Sequence, residues 1–209
     1  QAAAKLLPPD TEQLITAIYQ LADGRDMQQL LVHGDDDFSF SVVGLSRFRV
    51  STYKQRGSLA AVIRVVYFDL PDYKALHIPD AVMLAAKKTK GFVLVTGPAG
   101  SGKSTTLACI IDAINNTRNA HVITLEDPIE FLHRHKKSVV SQREIATDTD
   151  SYAVALRAAL RQSPDVILLG EMRDYETIKT AMTAAETGHL VISTLHTIGA
   201  ANTIDRIID

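Results

Sequence analysis

The sequence predicts an α/β protein in two parts: a small mixed α/β unit, then a larger one built on a mostly parallel sheet. Between residues 38 and 66 apolar and polar residues alternate with the period of half-buried strands. From residue 91 onward short apolar runs alternate with helix-like segments, as in successive βαβ units. A connection of mixed polarity over 69–79, bearing two prolines, separates the two rhythms. The expected division is a first domain over 1–70, a linker over 71–79 and a core over 80–209.

Each element has a local reason. Residues 10–21 read as a helix that Asp10 or Thr11 can cap, with Leu14, Ile15, Ile18 and Leu21 on one face. Three alternating runs, 38–42, 47–53 and 59–66, punctuated by Gly44 and Gly57, read as a small antiparallel sheet. In the second part, strands are expected at 91–96, 120–125, 165–169 and 190–195. Helices are expected at 103–114, 151–161, 175–186 and from about 200. The stretch between 126 and 150 reads as polar connection. There is no internal repeat and no low-complexity tract.

Composition excludes several classes. Of 209 residues, 46% are hydrophobic and 22% charged, enough apolar material for a core and unlike a disordered chain. The net charge of −2 shows no general excess of basic residues for nucleic acid. Cys109 is the sole cysteine, which excludes an intrachain disulfide and a multi-cysteine zinc site in this stretch. That usage fits a reducing cytoplasm. No apolar run approaches the roughly 20 residues of a spanning helix. The chain begins at Gln1 with no signal-peptide layout, and its helical pattern runs to Asp209 without a stop signal. The expectation is a piece of something longer.

The strongest chemical signal is the run Gly97, Pro98, Ala99, Gly100, Ser101, Gly102, Lys103, Ser104, followed by Thr105. It fits G-x-x-x-x-G-K-[ST] and stands between a predicted strand and a predicted helix, the context that motif requires. Gly100 and Gly102 let successive N–H groups turn inward as an anion nest, and the helix aims its positive dipole end at the same place. Lys103 supplies a charge for phosphates, and Ser104 a hydroxyl for Mg²⁺.

In a parallel sheet, ligands sit at the carboxyl ends of the strands. Glu171 ends one strand, as the acid of a Walker B element would. Glu126, Asp127 and Glu130 follow another, and either Glu126 or Glu130 could orient and deprotonate water. Loop solvation or helix capping is the plainer role for Glu126 and Asp127, since Pro128 can open a turn. His33, His77, His121, His133 and His135 read as surface or packing residues. His189 and His196 bracket the 190–195 strand, and His196 lies at its active end, without metal-ligand spacing to another His. Arg157 and Arg161, four apart, are expected on one face of a helix. Arg49 and Arg64 lie on separate strands of the first part, where arginines could reach a nucleotide in cis or across a subunit contact.

Four blocks together carry a resemblance: 97–105, 124–131 (Thr-Leu-Glu-Asp-Pro-Ile-Glu-Phe), 160–174 and 187–197. They resemble the Walker A, Asp box, Walker B and His box of the secretion ATPase superfamily, which powers type II and type IV secretion and type IV pili. Residues 44–50 and 55–64 resemble its N-terminal domain, and the run Arg56, Gly57, Ser58, Leu59, Ala60, Ala61 is closest to the pilus retraction branch. The resemblance implies a PAS-like domain followed by a RecA-like core, in a hexameric, Mg²⁺-dependent ATPase that drives pilus retraction and twitching motility. It implies ATP and ADP as ligands, and Lys103 and Ser104 as the phosphate lysine and magnesium hydroxyl. Glu130 becomes the water-activating glutamate, Glu171 the Walker B acid that with Ser104 serves Mg²⁺, and His196 the link between nucleotide state and neighbouring parts. Arg49, Arg64, Arg157 and Arg161 match arginines that approach the phosphates when domains close.

The implied partners are five further copies and a pilus platform protein of the inner membrane. The implied place is the cytoplasm at the inner face of that membrane, peripheral and not inserted, with no nucleic acid. Ala99 departs from the family's usual Thr. The alternatives are a pilus assembly or type II secretion motor, a nucleotide switch without turnover, and a DNA-handling P-loop protein.

Overall fold

The computed structural model describes residues 5–66, 68 and 70–208. The expected chain start at 1–4, Asp69 at the head of the connection and the chain end at Asp209 lie outside the described residues. The chain divides between residues 67 and 68 into two compact units.

In the first unit, α1 (Pro8–Leu21) starts two residues earlier than its pattern suggests. Pro8 is tolerated in the first turn, where its missing N–H has no partner to lose. Asp10 does not stand at the N-cap; its carboxylate accepts the N–H of Leu7 from the first turn (2.8 Å). The buried residues of α1 are Ile15 and Tyr19, while Leu14 and Leu21 are exposed, so the expected apolar face is rotated. A short helix, α2 (Gln28–His33), was not foreseen. Strands β1 (Asp35–Val42), β2 (Ser46–Gln55) and β3 (Ser58–Val66) form an antiparallel sheet in the order β1-β2-β3. Ile15, Tyr19, Leu30, Phe38, Phe40 and Val50 make the core against one face of that sheet.

One polar network pins this core. The Tyr19 hydroxyl lies 2.8 Å from Asp36 Oδ2 and 2.9 Å from Thr52 Oγ1. Arg25 donates from Nε and Nη2 to the two oxygens of Asp36 at 3.0 and 2.9 Å. Burial and this neighbourhood push the Tyr19 phenol up to about 12.

The second unit opens with α3 (Asp80–Met83) and a 3₁₀ turn over Leu84–Lys87. Its sheet contains β4 (Gly91–Thr96), β5 (His121–Glu126), β6 (Val139–Glu144), β7 (Val166–Leu169) and β8 (Leu190–Leu195). The order is β4-β8-β7-β5-β6 and every pairing is parallel. Helices α4 (Lys103–Thr117), α5 (Tyr152–Ala159), α6 (Tyr175–Glu186) and α7 (Ala200–Ile208) complete it. Ile110, Ile111 and Ile114 of α4 pack on Val122, Val166, Leu168, Leu190 and Ile192. On the opposite face α5 and α6 cover Ile123, Leu125, Ile167, Leu169 and Val191. Covered on both faces, β7 and β8 are buried throughout, which is why they read as unbroken apolar runs.

Two expectations change here. Strand β6 occupies part of the stretch read as connection. Helix α5 stops at Ala159, capped at its start by Ser151, so Arg161 falls in the turn beyond it and not on a helical face shared with Arg157. No helix among the described residues is long and apolar enough to cross a membrane.

Replacing Asp36 by Ala leaves the Tyr19 hydroxyl and the Arg25 guanidinium without their shared acceptor. A loss of about 3 kcal/mol in the first unit's stability is expected from breaking a buried charged network. Urea unfolding followed by tyrosine fluorescence measures it.

Candidate functional site

The carboxyl ends of β4, β5, β7 and β8 lie side by side along one edge of the parallel sheet. The loop from β4 to α4 shapes the first wall. Gly97 has φ +151°, and a Cβ there would stand 2.7 Å from Ser101 Oγ, so only glycine fits without a shift. Gly102, the N-cap of α4, is left-handed at φ +87°. Lys103 is buried, and its Nζ donates to the carbonyls of Gly97 (3.0 Å) and Pro98 (2.9 Å).

A cleft of about 250 Å³ opens beside this loop. It is lined by Ala99, Gly100, Lys103 and Ser104 from the loop and helix start, and by Glu126, Asp127 and Glu130 beyond β5. Glu171 and His196, beyond β7 and β8, close it. The fold therefore brings Lys103, Ser104, Glu130, Glu171 and His196 into one cavity, although 93 residues of sequence separate Lys103 from His196.

Glu126 and Glu130 separate by geometry. Thr124 and Glu126 are two apart on β5 and face the same side, and Gln142 stands opposite Thr124 in the register with β6. The Glu126 Oε1 accepts from Thr124 Oγ1 (2.6 Å) and Gln142 Nε2 (3.2 Å). The backbone N–H of Glu130 donates to Glu126 as well. Gln142 also donates to Phe131 O (2.9 Å) and accepts from His133 N (2.7 Å). Glu126 thus clamps the loop that carries Glu130, while the Glu130 side chain is exposed in the cleft. Burial holds the Glu126 carboxyl up at about 7 against an ordinary 4.5. Burial also pushes the imidazole of His133 down to about 4.

Glu171 is fixed from β8: Thr194 Oγ1 donates to Gly170 O (2.6 Å) and Met172 N to Thr194 O (3.4 Å). Its carboxylate is paired with Arg173 and lies 3.5 Å from His196 Nε2. Arg173 also reaches Asp127 Oδ2 at 3.5 Å. Tyr152 lines the cleft, 7% exposed as a residue, with its hydroxyl buried and without a hydrogen-bond partner among the described residues. Burial, then the charges of Asp127 and Glu171, raise that phenol. Sequence reasoning gave no role to Arg173, Tyr152 or Gln142. Arg173 carried the one available signal, a cation two residues beyond the strand-end acid.

The arginines stand elsewhere. Arg49 and Arg64 are directly opposed across β2 and β3, and line a depression on the first unit with Asp37, Ser51 and Val62. Arg157 pairs with Glu176 on the surface of the core. Arg161 donates to Arg157 O (3.0 Å), and the next residue's carbonyl meets His121, at the start of β5. That is the sheet edge opposite the cleft. Behind the loop lies a second, more apolar cavity of about 710 Å³, lined by Ile78, Pro79, Val82, Ser101, Gly102 and Thr105 among others.

Sheet order, strand–loop–helix and cleft together define a RecA-like P-loop core. The chain belongs to the type II/IV secretion system protein family, whose model matches residues 9–209. It is 48% identical over 204 residues to a type IV pilus retractation ATPase PilT of Pseudomonas aeruginosa, covering 97% of this chain and 59% of that protein. It is 54% identical over 173 residues to a twitching motility protein of Neisseria gonorrhoeae, covering 83% of this chain and 46% of that one. Among solved structures, the pilus retraction motor PilT with bound ADP superposes with a TM-score of 0.90 at 53% identity, over 98% of this chain and 59% of that one. The Legionella pneumophila ATPase DotB gives 0.77 at 37% identity, over 99% and 59%. The chain therefore spans roughly half to three-fifths of these relatives.

The raised Glu126 carboxyl sets a pH dependence. Its protonated form is favoured in the folded state, so its contribution to stability is full below pH about 4.5 and is lost as pH rises through about 7. Glu126→Gln is expected to flatten that fall by roughly 1–3 kcal/mol across the window. Urea midpoints measured from pH 4 to 8 check it; a variant with the parent's slope would assign the titration elsewhere.

Proposed function

We propose that this chain is the nucleotide-binding and hydrolysing part of a hexameric type IV pilus retraction motor. The observation that carries the reading is one cleft holding a phosphate-loop lysine, a hydroxyl at the helix start and two separately mounted glutamates, Glu130 and Glu171. The family membership and the names of the relatives support the motor. An assembly or type II secretion motor is the second reading within the family. The proposed division is a first domain over 1–70, a linker over 71–79 and the core over 80–209.

ATP sits on the loop with its phosphates at the amino end of α4. Its γ-phosphate faces the cleft of carboxylates, and its base takes the apolar cavity on the other side of the loop. The Lys103 ammonium, now held by carbonyls of its own loop, exchanges them for phosphate oxygens, a stronger charge-assisted pair. The cleft offers hard oxygen donors, the Ser104 hydroxyl and the Glu171 carboxylate, and they suit Mg²⁺, which keeps several waters and leans on substrate phosphates. When bound, the ion supplies charge neutralisation at the phosphates. Glu130 accepts a proton from water as the water oxygen bonds phosphorus and ADP leaves, and Glu126 holds the loop that aims it. His196 reports the state of Glu171 to the segment entering α7.

Arg49 and Arg64 contact the phosphates when the first domain closes. For Arg157 and Arg161 the family membership supports the same approach to the phosphates on closure. The ring works on a pilus platform protein from the cytoplasmic face of the inner membrane, peripheral to it and without nucleic acid.

Glu130→Gln is expected to bind ATP like the parent and hydrolyse it at least roughly 100-fold slower. Lys103→Ala is expected to lose both binding and turnover. Isothermal titration and phosphate release measured in the full-length protein check the pair; parent-rate hydrolysis by Lys103→Ala overturns the reading.

For the arginines, the measured quantity is the distance between fluorescent labels on the two units. A non-hydrolysable ATP analogue is expected to shorten it, and Arg49→Ala and Arg64→Ala each to abolish the shift. An unchanged shift in both variants removes them from the mechanism.

A further inference from the structure

Two carboxylates at the mouth of the cleft, Glu171 beyond β7 and Asp127 beyond β5, are bridged by one guanidinium. We propose that Arg173 is the resident counter-ion of this pair, that a divalent cation arriving with the nucleotide displaces it from Glu171, and that Arg173 thereby sets the cation affinity of the site. This rests on the nucleotide-binding reading of the cleft.

Three features of the geometry support it. First, the arginine holds the acid that the cation needs: Arg173 Nη2 is paired with Glu171 Oε1, while Nη1 lies 3.5 Å from Asp127 Oδ2. The strand ends that carry these acids are neighbours in the sheet, so a planar fork can span them. Second, the partners differ in freedom. The Glu171 side chain is 16% exposed and its backbone is tied to β8 through Thr194, whereas the Arg173 side chain is 63% exposed. Its backbone stays anchored between Met172, which is buried, and Asp174, which caps α6 through Thr177 N (2.8 Å). The side chain can therefore leave without disturbing the turn. Third, the other cation-capable groups of the cleft have separate places. Lys103 sits on the carbonyls of Gly97 and Pro98, and His196 meets the second oxygen of Glu171, Oε2, at 3.5 Å.

An ion pair with one exposed partner is weak, and a divalent cation beside the same oxygen repels the guanidinium. The exchange is therefore cheap but not free, and the affinity of the site for the cation falls by the factor that the arginine contributes. Arg173 occupies the strand-end acid without a tight hold on it. It is a positioning residue, not a group of the bond-making step.

The experiment titrates Mn²⁺ into the full-length protein saturated with ADP and reads free Mn²⁺ by electron paramagnetic resonance. Arg173→Gln is expected to bind Mn²⁺ about 5-fold tighter than the parent, the upper range for an exposed ion pair. ADP binding measured without divalent cation is expected to be unchanged. Arg173→Lys, which keeps the charge but cannot fork across both acids, is expected to fall between the two. Unchanged or weaker Mn²⁺ binding by Arg173→Gln, with ADP binding and thermal midpoint retained, overturns the proposal and makes the arginine a support for the metal site. Should Arg173→Gln lose its fold, Arg173→Lys alone decides by the same sign. A parent that binds neither ADP nor Mn²⁺ with ADP overturns the nucleotide reading itself, a result distinct from an unchanged variant.

Discussion

An all-parallel sheet must be covered on both faces, and its strands must all end on the same side. In this core both requirements are met by the same helices, α4 on one face and α5 with α6 on the other. Every loop that leaves a strand toward a helix then emerges at one edge. The phosphate loop after β4, the acidic loop after β5, Glu171 after β7 and His196 after β8 meet there. The chemistry of the site depends on this single geometric constraint more than on any one bond. The buried runs of β7 and β8 hold the acids in register.

Within that frame the sequence was legible where the requirement is local. The phosphate loop needs glycines at particular dihedrals next to a strand and a helix, and all of it lies within a dozen residues. Glu171 and the pair Glu126 and Glu130 could be placed on the active edge because an acid that follows an apolar strand lands there, but the residues alone left open which of the pair serves water. What could not be read depends on partners distant in sequence. Strand β6 is polar and sits at an edge, with Val140 and Glu144 its only buried residues, so it lacks the apolar run of its neighbours. Without β6, Gln142 could not be placed, and with it went the clamp that distinguishes Glu126 from Glu130. The Pro8 start of α1 and the early stop of α5 were missed for a different reason. Periodicity marks the middle of a helix, whereas its ends are decided by caps and by which turn the tertiary contacts hold.

The charges in the cleft form a graded series. Lys103 is buried and bonded to its own loop, so it is preset and costs little to redirect. Arg173 is exposed and shared between two acids, so it moves easily. Glu126 is desolvated and carries three donors, so it is fixed, and its titration near neutrality reports structure before chemistry. Tyr152 adds, near Asp127 and Glu171, a buried hydroxyl without a hydrogen-bond partner among the described residues. A site in which Lys103, Arg173 and Glu126 already have protein partners of different strength can bind a highly charged ligand stepwise, weakest pair first.

The first unit carries the complementary imbalance. Arg49 and Arg64 stand directly opposite each other on adjacent strands, where paired like charges are unfavourable. Asp37 shares the depression, and one carboxylate does not neutralise two guanidiniums. The core of the unit does not need either arginine, because its packing comes from the other face, through Phe48, Val50 and the Tyr19–Asp36 network. A sheet that holds such a repulsive pair on its open face is stabilised by whatever anion relieves it. In the proposed motor we assign that role to the phosphates of the nucleotide.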